Sequence, residues 1–405
     1  MPEAVIVATA RSPIGRAGKG SLVDVRADDL TAQMISAALA KVPALDPHDI
    51  DDLLLGCGLP GGEQGKNLAR IVAVQLGYDF LPGATITRYC SSSLQTTRMA
   101  FHAIKAGEGD AFISAGVEMV SSFARGSSDS FPGTQNPIFD DAQARTVEAS
   151  QGGVLWHDPR ADGELPDPYI VMGQTAENVA QLENVSREDM DHFGVRSQNL
   201  TEKAIADGFW AKDITPVTLG DGRVVSTDDG PRAGVTYEAV SALKPVFRPD
   251  GRVTAGNCCP LNDGAAAVIV MSDTKAAELG LTPLARIVST GVTGLSPEIM
   301  GLGPVEASRQ ALRRAGMTID DIDLVEINEA FAAQVIPSYR QLGVAEERLN
   351  VNGGAIAIGH PFGMTGARIT STLINSLQHH DKQFGLETMC VGGGQAMAIV
   401  LERLS

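Results

Sequence analysis

The sequence predicts an α/β fold, built as two α/β halves with a loop-rich insertion between them. Three observations carry this. Residues 1–120 alternate short apolar runs with amphipathic stretches. Residues 283–405 repeat that style. From Ser121 to about Asp167 the chain turns rich in Ser, Gly, Asp and Pro. The alternation implies a largely parallel sheet covered by helices. The middle stretch reads as loops.

Taken in order, residues 5–7 read as a strand, 29–41 as a helix, 53–57 as a strand, 67–76 as a helix and 84–88 as a strand. The helix at 91–106 places Leu94, Thr97, Phe101 and Ile104 on one face, at spacings of three and four. A strand follows at 110–116. Helices return at 172–182 and from Ser186, where Ser186 and Asp189 form a capping pair. Turn residues fill 221–234, before a buried strand at 265–272 and a short helix ending at Leu279. The last part reads as strands at 285–290, 323–327, 388–391 and 396–401, with helices at 305–315, 330–342 and 366–377. The expected division is 1–120 plus 262–282 as the first half, 121–261 as the insertion and 283–405 as the second half. Arg88-Tyr-Cys-Ser-Ser-Ser and Gly359-His-Pro-Phe-Gly each lead into a helix and then a strand. That parallel suggests an internal duplication.

Composition narrows the function. The chain has 405 residues, enough for two or three domains. Apolar residues make up 43%, which excludes disorder as the dominant state. The longest clean apolar run, 265–271, is far below the ~18 residues of a membrane span. A net charge of −17 argues against general nucleic-acid binding and against anionic membrane surfaces. Five cysteines, at 57, 90, 258, 259 and 390, are too sparse for a disulfide framework. The N-terminus opens directly as a strand, and the C-terminal Arg403-Leu404-Ser405 is no peroxisomal address. The expected compartment is the reducing cytoplasm.

Four segments carry chemistry. Cys90 follows a strand and opens a helix, where unpaired N–H groups and the helix dipole favour a thiolate. The alternative is a buried structural thiol. His360 sits in a stretch with five glycines, Gly353 to Arg368, which lets backbone approach a ligand closely. It is not a phosphate loop, because His-Pro follows the glycine where Lys-Ser/Thr is required. Cys90 and His360 together form a candidate nucleophile–base pair, against a simple capped histidine. Cys390-Val-Gly-Gly-Gly leaves N–H groups free to face an oxyanion, or is a β-turn beside a buried thiol. Asn328 closes a strand, either to orient a water or to cap a helix. Cys258 and Cys259 are adjacent, no His-Glu-x-x-His occurs, and Gly301-x-Gly303 lacks a third glycine. Neither a metal site nor a dinucleotide site is expected.

In order along the chain, Cys90-Ser-Ser-Ser-Leu, Asn328-Glu-Ala-Phe-Ala, Gly353-Gly-Ala-Ile-Ala-Ile-Gly-His-Pro and Cys390-Val-Gly-Gly-Gly resemble the thiolase family. So do Ile6-Val-Ala-Thr-Ala-Arg-Ser-Pro-Ile-Gly and Thr254-Ala-Gly-Asn-Cys-Cys-Pro-Leu-Asn-Asp-Gly-Ala-Ala. The resemblance implies duplicated α/β halves in five layers, an insertion covering coenzyme A, and a homodimer or homotetramer. It implies that Cys90 carries the acyl group and that His360 takes its proton and donates to the thioester oxygen. Asn328 would hold a water in that oxyanion site, and Cys390 would move the proton at the α-carbon. The N–H groups of Cys90 and Gly392 would form a second oxyanion hole. Met172, Cys259 and Phe331 would line the pantetheine arm, with Arg232 near the adenine–phosphate end or free in a solvated loop. Coenzyme A is then a co-substrate, and no tightly bound cofactor is expected.

Departures from the family pattern are few. Cys259 stands where many members have Ser, Ser93 and Ala396 each replace a Gly, and Val171 stands where acetoacetyl-specific members often have His. The last favours a broader, degradative 3-ketoacyl-CoA thiolase over an acetoacetyl-CoA-specific acetyltransferase. Decarboxylating ketoacyl synthases and hydroxymethylglutaryl-CoA synthases generally lack the second thiol. A non-catalytic acyl-CoA binder would have lost one of the four motifs.

Overall fold

The computed structural model describes residues 2–126 and 133–405. The first half contains β1 (Ala4–Arg11), β2 (Gly15–Arg16), α1 (Ala27–Leu39), β3 (Asp52–Cys57), α2 (Leu68–Gln75), β4 (Gly83–Ile86), α3 (Ser92–Ala106) and β5 (Ala111–Met119). Then come α4 (Asp140–Ser150), α5 (Met172–Leu182), α6 (Arg187–Ala206), α7 (Phe209–Asp213), β6 (Val217–Thr218), β7 (Val224–Val225) and α8 (Tyr237–Ser241). The chain returns to the first half through β8 (Asn262–Ser272) and α9 (Asp273–Glu278). The second half holds β9 (Ala285–Gly294), α10 (Gly303–Ala315), β10 (Leu324–Ile327), α11 (Ala332–Leu342), α12 (Ala355–Ile358), α13 (Thr365–His379), β11 (Phe384–Val391) and β12 (Gln395–Arg403).

All strands but β6 and β7, which pair with each other, join in the order β10-β11-β12-β9-β1-β8-β5-β3-β4, with β2 beside β8 and, among the described residues, the two half-sheets linked only where Val5 and Ile6 of β1 meet Arg286 and Ala285 of β9. Each half has the same plan. In the first, β3 runs parallel to β5, which is antiparallel to β8, which is antiparallel to β1. In the second, β10, β11, β12 and β9 repeat those relations. Even β4, the outer neighbour of β3, has a remnant counterpart in the parallel bridge from Val325 to Leu349. The duplication suggested by two short motifs is therefore a property of the whole topology.

The expected largely parallel sheet is corrected. Only β3–β4, β3–β5 and β10–β11 are parallel. β11 and β12 are joined by a short turn through Gly393 and Gly394, both at positive φ, and so tight a connection forces antiparallel pairing. Two further expectations differ. The strand expected at 84–88 ends at Ile86, and a 3-10 turn, Tyr89–Ser91, separates it from α3. The loop-rich reading of 121–167 misses α4, which buries only Ala142 and so has no apolar stripe to reveal it. Part of that stretch, 127–132, lies outside the described residues. Ser186 does cap its helix, accepting from the Asp189 N–H at 2.9 Å.

The layers follow from which faces are apolar. β5 and β8 are buried along their whole length, as strands covered on both sides must be. Leu30 and Ile35 of α1, with Leu68 and Val72 of α2, cover one face of the first half. Val305 and Leu312 of α10, with Val335 and Ile336 of α11, cover the outer face of the second. Leu94 and Ile104 of α3, with Ile369 and Leu373 of α13, lie between the inner faces, against Ile6 and Val268 on one side and Ile287 and Met397 on the other. This is the five-layered α-β-α-β-α arrangement.

The central layer is packed to backbone contact. A Cβ at Gly366 would lie 2.1 Å from the Leu94 nitrogen, and one at Gly116 would lie 2.2 Å from the Gly363 carbonyl oxygen. Gly366→Ala is expected to cost about 1–3 kcal/mol, the usual range for overpacking. Urea unfolding measures this, and a loss below ~0.5 kcal/mol would mean that α3 and α13 can part without penalty.

Candidate active site

The turn before α3 holds Cys90. Tyr89 is at φ +43, a left-handed conformation uncommon for a non-glycine residue. Neighbouring hydroxyls stabilise it. Ser92 Oγ accepts from the Arg88 N–H at 2.9 Å and donates to the Tyr89 carbonyl at 2.6 Å, and Ser91 Oγ donates to the Arg88 carbonyl. Arg88 donates to both Gln95 and Gln395, which ties this turn to the glycine turn after Cys390. Cys90 is 8% exposed and opens onto a cavity of about 400 Å³ lined also by Val171, Met172, Phe362 and Gly392.

Burial changes the expected chemistry of this thiol. The helix N-terminus predicted a lowered pKa. Instead desolvation pushes Cys90 up to about 11, with the nearby Glu118 adding to the effect and the Gly392 N–H only partly opposing it. Burial likewise lifts Cys390 far above the usual thiol range, and the neighbouring Cys90 adds to that. Both groups are neutral thiols at neutral pH.

His360 precedes α13 and is 1% exposed. Its backbone N–H donates to Asn262 Oδ1 at 3.0 Å. Gly359 makes this approach feasible, since its φ is +114 and a Cβ there would lie 2.6 Å from the Asn262 side chain. The ring tautomer follows from the hydrogen bonds. Thr365 Oγ1 donates its proton to the Pro361 carbonyl at 2.7 Å, so it accepts from His360 Nδ1–H at 2.6 Å. That leaves the Nε2 lone pair unprotonated, buried and without a partner. Desolvation, helped by the Arg368 charge, pushes His360 down to about 3, so the ring is neutral. The ring meets Phe362, a wall of the Cys90 cavity, edge-on at 5.3 Å.

Asn328 ends β10. Its Oδ1 accepts from Arg368 at 3.2 Å, which leaves Nδ2 buried and unpartnered. Arg368 is itself fully buried, opposite Glu326. An unpartnered buried donor is costly unless a ligand or a water meets it. Asn328 Nδ2 is such a donor, and His360 Nε2 is a buried acceptor equally without a partner.

Three positioning groups went unread in the sequence. Glu118, at the end of β5, accepts from the N–H groups of Gly58, Leu59 and Gly363 at 2.7, 3.1 and 2.8 Å. It joins the ends of β3 and β5 to the His360 loop, and desolvation raises it to about 7. A Glu within an otherwise apolar strand was the one available signal. Glu329 accepts from Ser197 Oγ, Asn350 Nδ2 and the Ile356 N–H, and so fastens α6 to the same loop. Thr365, which sets the histidine tautomer, carried no signal.

The structure brings Cys90, Met172 and Gly392 to one cavity. Phe331 is buried, packs edge-on to Phe247 at 6.3 Å and bridges to Cys258. The Cys259 N–H donates to the Ala330 carbonyl at 3.0 Å. Arg232 stands apart, exposed on a loop, with its backbone N–H donating to Gln198. Among the described residues no cluster of His, Cys, Asp and Glu could hold a metal ion, and no helix is long and apolar enough to cross a membrane.

A duplicated five-layer scaffold with two buried thiols and a neutral imidazole defines a class of acyl-transferring enzymes. The comparisons narrow that class. Residues 4–274 match the thiolase N-terminal domain and residues 281–403 the thiolase C-terminal domain, so the chain belongs to the thiolase family. It is 42% identical to the 3-ketoacyl-CoA thiolase of Bacillus subtilis (strain 168), over 99% of this chain and 100% of that one. It is 43% identical to the 3-oxoadipyl-CoA/3-oxo-5,6-dehydrosuberyl-CoA thiolase of Escherichia coli (strain K12), over 100% of both. Among solved structures, Bacillus anthracis acetyl-CoA acetyltransferase superposes with a TM-score of 0.85 at 38% identity, over 100% of this chain and 99% of that one. Human mitochondrial 3-ketoacyl-CoA thiolase in complex with CoA gives 0.85 at 33%, over 100% and 98%.

With a pKa near 11, Cys90 alkylation by iodoacetamide should keep accelerating as pH rises past 9. Mass spectrometry of the Cys90 peptide reads the rate. A plateau below about pH 8 would instead reveal a resting thiolate–imidazolium pair.

Proposed function

We propose that this thiolase cleaves 3-ketoacyl-CoA with coenzyme A, giving acetyl-CoA and a shortened acyl-CoA, with Cys90 as the nucleophile. The observation that carries this reading is the pair of buried, unpartnered atoms His360 Nε2 and Asn328 Nδ2, in a site where both thiols are neutral. As Cys90 Sγ attacks the 3-keto carbon, His360 Nε2 takes its proton. The C2–C3 bond then breaks, and the electron pair becomes an acetyl-CoA enolate. Cys390, held protonated by burial, gives its proton to C2. Acetyl-CoA departs and the acyl group stays on Cys90. Coenzyme A passes its thiol proton to the Cys390 thiolate and attacks the thioester. Cys90 leaves and recovers its proton from His360. The Gly392 N–H is aimed at the Cys90 sulfur and is suited to the oxyanion that forms beside it.

The family resemblance supports residues 121–261 as a cover over coenzyme A. Met172, Cys259 and Phe331 then flank the pantetheine arm, and Arg232 lies near the adenine–phosphate end. It also supports a homodimer or homotetramer. Val171 is 60% exposed and lines the Cys90 cavity, which leaves acyl space that a larger His side chain would fill. That favours a broad 3-ketoacyl range over acetoacetyl-CoA alone.

The test is loss of the magnesium-chelated 3-ketoacyl-CoA enolate absorbance on adding coenzyme A. Cys90→Ala should abolish it. Cys390→Ala should still take an acetyl group from acetyl-CoA onto Cys90, seen as a mass increase, yet lose carbon–carbon cleavage. Substantial cleavage by Cys90→Ala ends this reading. Thr365→Val removes the acceptor for His360 Nδ1–H. It should lower kcat by about 10²–10⁴-fold, the scale of a lost tautomer in a comparable base, with little change in KM, and Thr365→Ser should restore it. Equal activity in Thr365→Val would show that the tautomer is set elsewhere.

A further inference from the structure

A second cavity, of about 160 Å³, lies against the first, and the buried Ile170 lines both. Its walls include Leu155, Trp156, Asn178, Arg248 and Glu298. Arg248 is 4% exposed and belongs to no ion pair among the described residues. Its Nε donates to Gln174 Oε1 at 2.6 Å and its Nη2 to Asn178 Oδ1 at 2.6 Å, while Nη1 is buried with no partner. The charges of Glu177 and Asp250 favour the guanidinium from a distance, but burial works against it and no carboxylate touches it, so its unmet N–H remains a cost.

The cavity also has two acidic residues in its lining, Glu148 and Glu298. Glu298 accepts from Trp156 Nε1–H at 2.7 Å and from the Asp167 N–H at 2.9 Å, one on each oxygen. Glu148 is exposed. Arg145, the other cation there, is paired with Glu164. The unmet buried donor at this cavity is therefore Arg248 Nη1–H, with Val154, Leu155 and Ile170 as apolar neighbours in a lining that also includes Thr146, Glu148 and His157.

Position relates this group to the reacting carbon. Arg248 grips Gln174 and Asn178, which are two and six residues beyond Met172 on α5. At ~1.5 Å per residue that is roughly 3–9 Å further along the helix. Met172 itself lines the Cys90 cavity. An acyl chain that extends from Cys90 past Met172 and Ile170 would end at the guanidinium.

We infer that this second cavity is an acyl-tail subsite, and that the substrates are 3-ketoacyl-CoA esters whose acyl chain ends in a carboxylate bound by Arg248. The inference rests on the thiolase reading above and specifies its substrate class. A carboxylate suits the site because it meets the free Nη1–H of a guanidinium that has no carboxylate in contact, through a charge-assisted bond. The methylenes before it suit the apolar wall.

The experiment uses the intact enzyme and matched pairs of substrates. These are 3-oxoadipyl-CoA with 3-oxohexanoyl-CoA, 3-oxosuberyl-CoA with 3-oxooctanoyl-CoA, and 3-oxosebacyl-CoA with 3-oxodecanoyl-CoA. At one chain length or more, kcat/KM should favour the carboxylated ester by at least about tenfold, as expected when a site built to bond a polar group meets an analogue lacking it. In Arg248→Met that ratio should collapse, chiefly through KM, and Arg248→Lys should recover part of it. Each preparation is read against its own acetoacetyl-CoA thiolysis, since that substrate has no tail. Near-equal rates within every wild-type pair overturn the inference, whether or not the variants fold. So does an Arg248→Met enzyme that loses carboxylated and acetoacetyl substrates in equal proportion, which is the mark of a purely structural arginine. Thiolysis of acetoacetyl-CoA without carboxylate preference defeats this inference alone. Absence of thiolysis with every ester defeats the thiolase reading and this inference with it.

Discussion

Everything at the site depends on how closely α3 and α13 cross in the central layer. Each helix begins where its half-sheet ends, and each carries a reactive side chain just before or at its first turn. Cys90 stands before α3 and His360 before α13, 270 residues apart in sequence. Only a crossing at backbone contact brings the two starts together, and Gly366 against Leu94 supplies it. The same constraint recurs around it. Gly56 meets the backbone of Ser92 and Ser93, Gly116 meets Gly363, and Gly363 meets Val117. Glu118 then closes the junction with three N–H donors from two segments. The duplication of the fold is what makes the crossing symmetric: equivalent helices of equivalent halves meet face to face.

Close packing also decides the electrostatics. A site this dry disfavours charge on every group in it, so the resting state holds two thiols, a neutral imidazole and an elevated Glu118. Nearby Glu326 and Glu387, paired across β10 and β11, are both raised to about 8 by burial despite the Arg368 charge. The two thiols and the imidazole are thus uncharged before reaction, beside the buried Arg368 charge, and charge develops on them only where a donor or base is already aimed. Preorganisation of that kind stabilises a developing oxyanion without solvent reorganisation. It also explains why two polar groups that orient the site, Thr365 and Glu329, are so fully engaged by their neighbours.

Elements with strong apolar periodicity were legible in the sequence, including α3, α5, β8 and β12, and so were the motif residues. Strand direction was not, because it depends on how each connection returns, and β12 returns through a turn too short for a crossover. Helix α4 was hidden by its nearly all-polar surface. Cys90 was singled out in the sequence and lies on a cavity, but its pKa was expected to move the wrong way. The helix terminus is a local feature that sequence shows, whereas the burial that outweighs it comes from segments far along the chain. Glu118 and Thr365 escaped for the same reason, since what they do exists only once distant loops converge.

The departures from the family pattern show where this chain has room to vary. Ser93 replaces a glycine at the crossing, yet it is fully buried and its Oγ accepts from the Ala367 N–H at 2.8 Å, so the added atoms became a bond between α3 and α13. Ala396 replaces another glycine, and across from it Gly303 has no side chain, where a Cβ would lie 2.6 Å from that of Ala396. Both changes are absorbed by an immediate neighbour, as a close-packed interior requires. The insertion is close-packed too, for a Cβ at Gly194 would lie 2.1 Å from the Gly256 carbonyl oxygen, but it also borders open cavities. Arg248 and Gln174 bond to each other at the edge of a cavity rather than inside a helix crossing. On this proposal, the chemistry sits at the close crossing of the two halves and the discrimination among acyl chains in the segment between them.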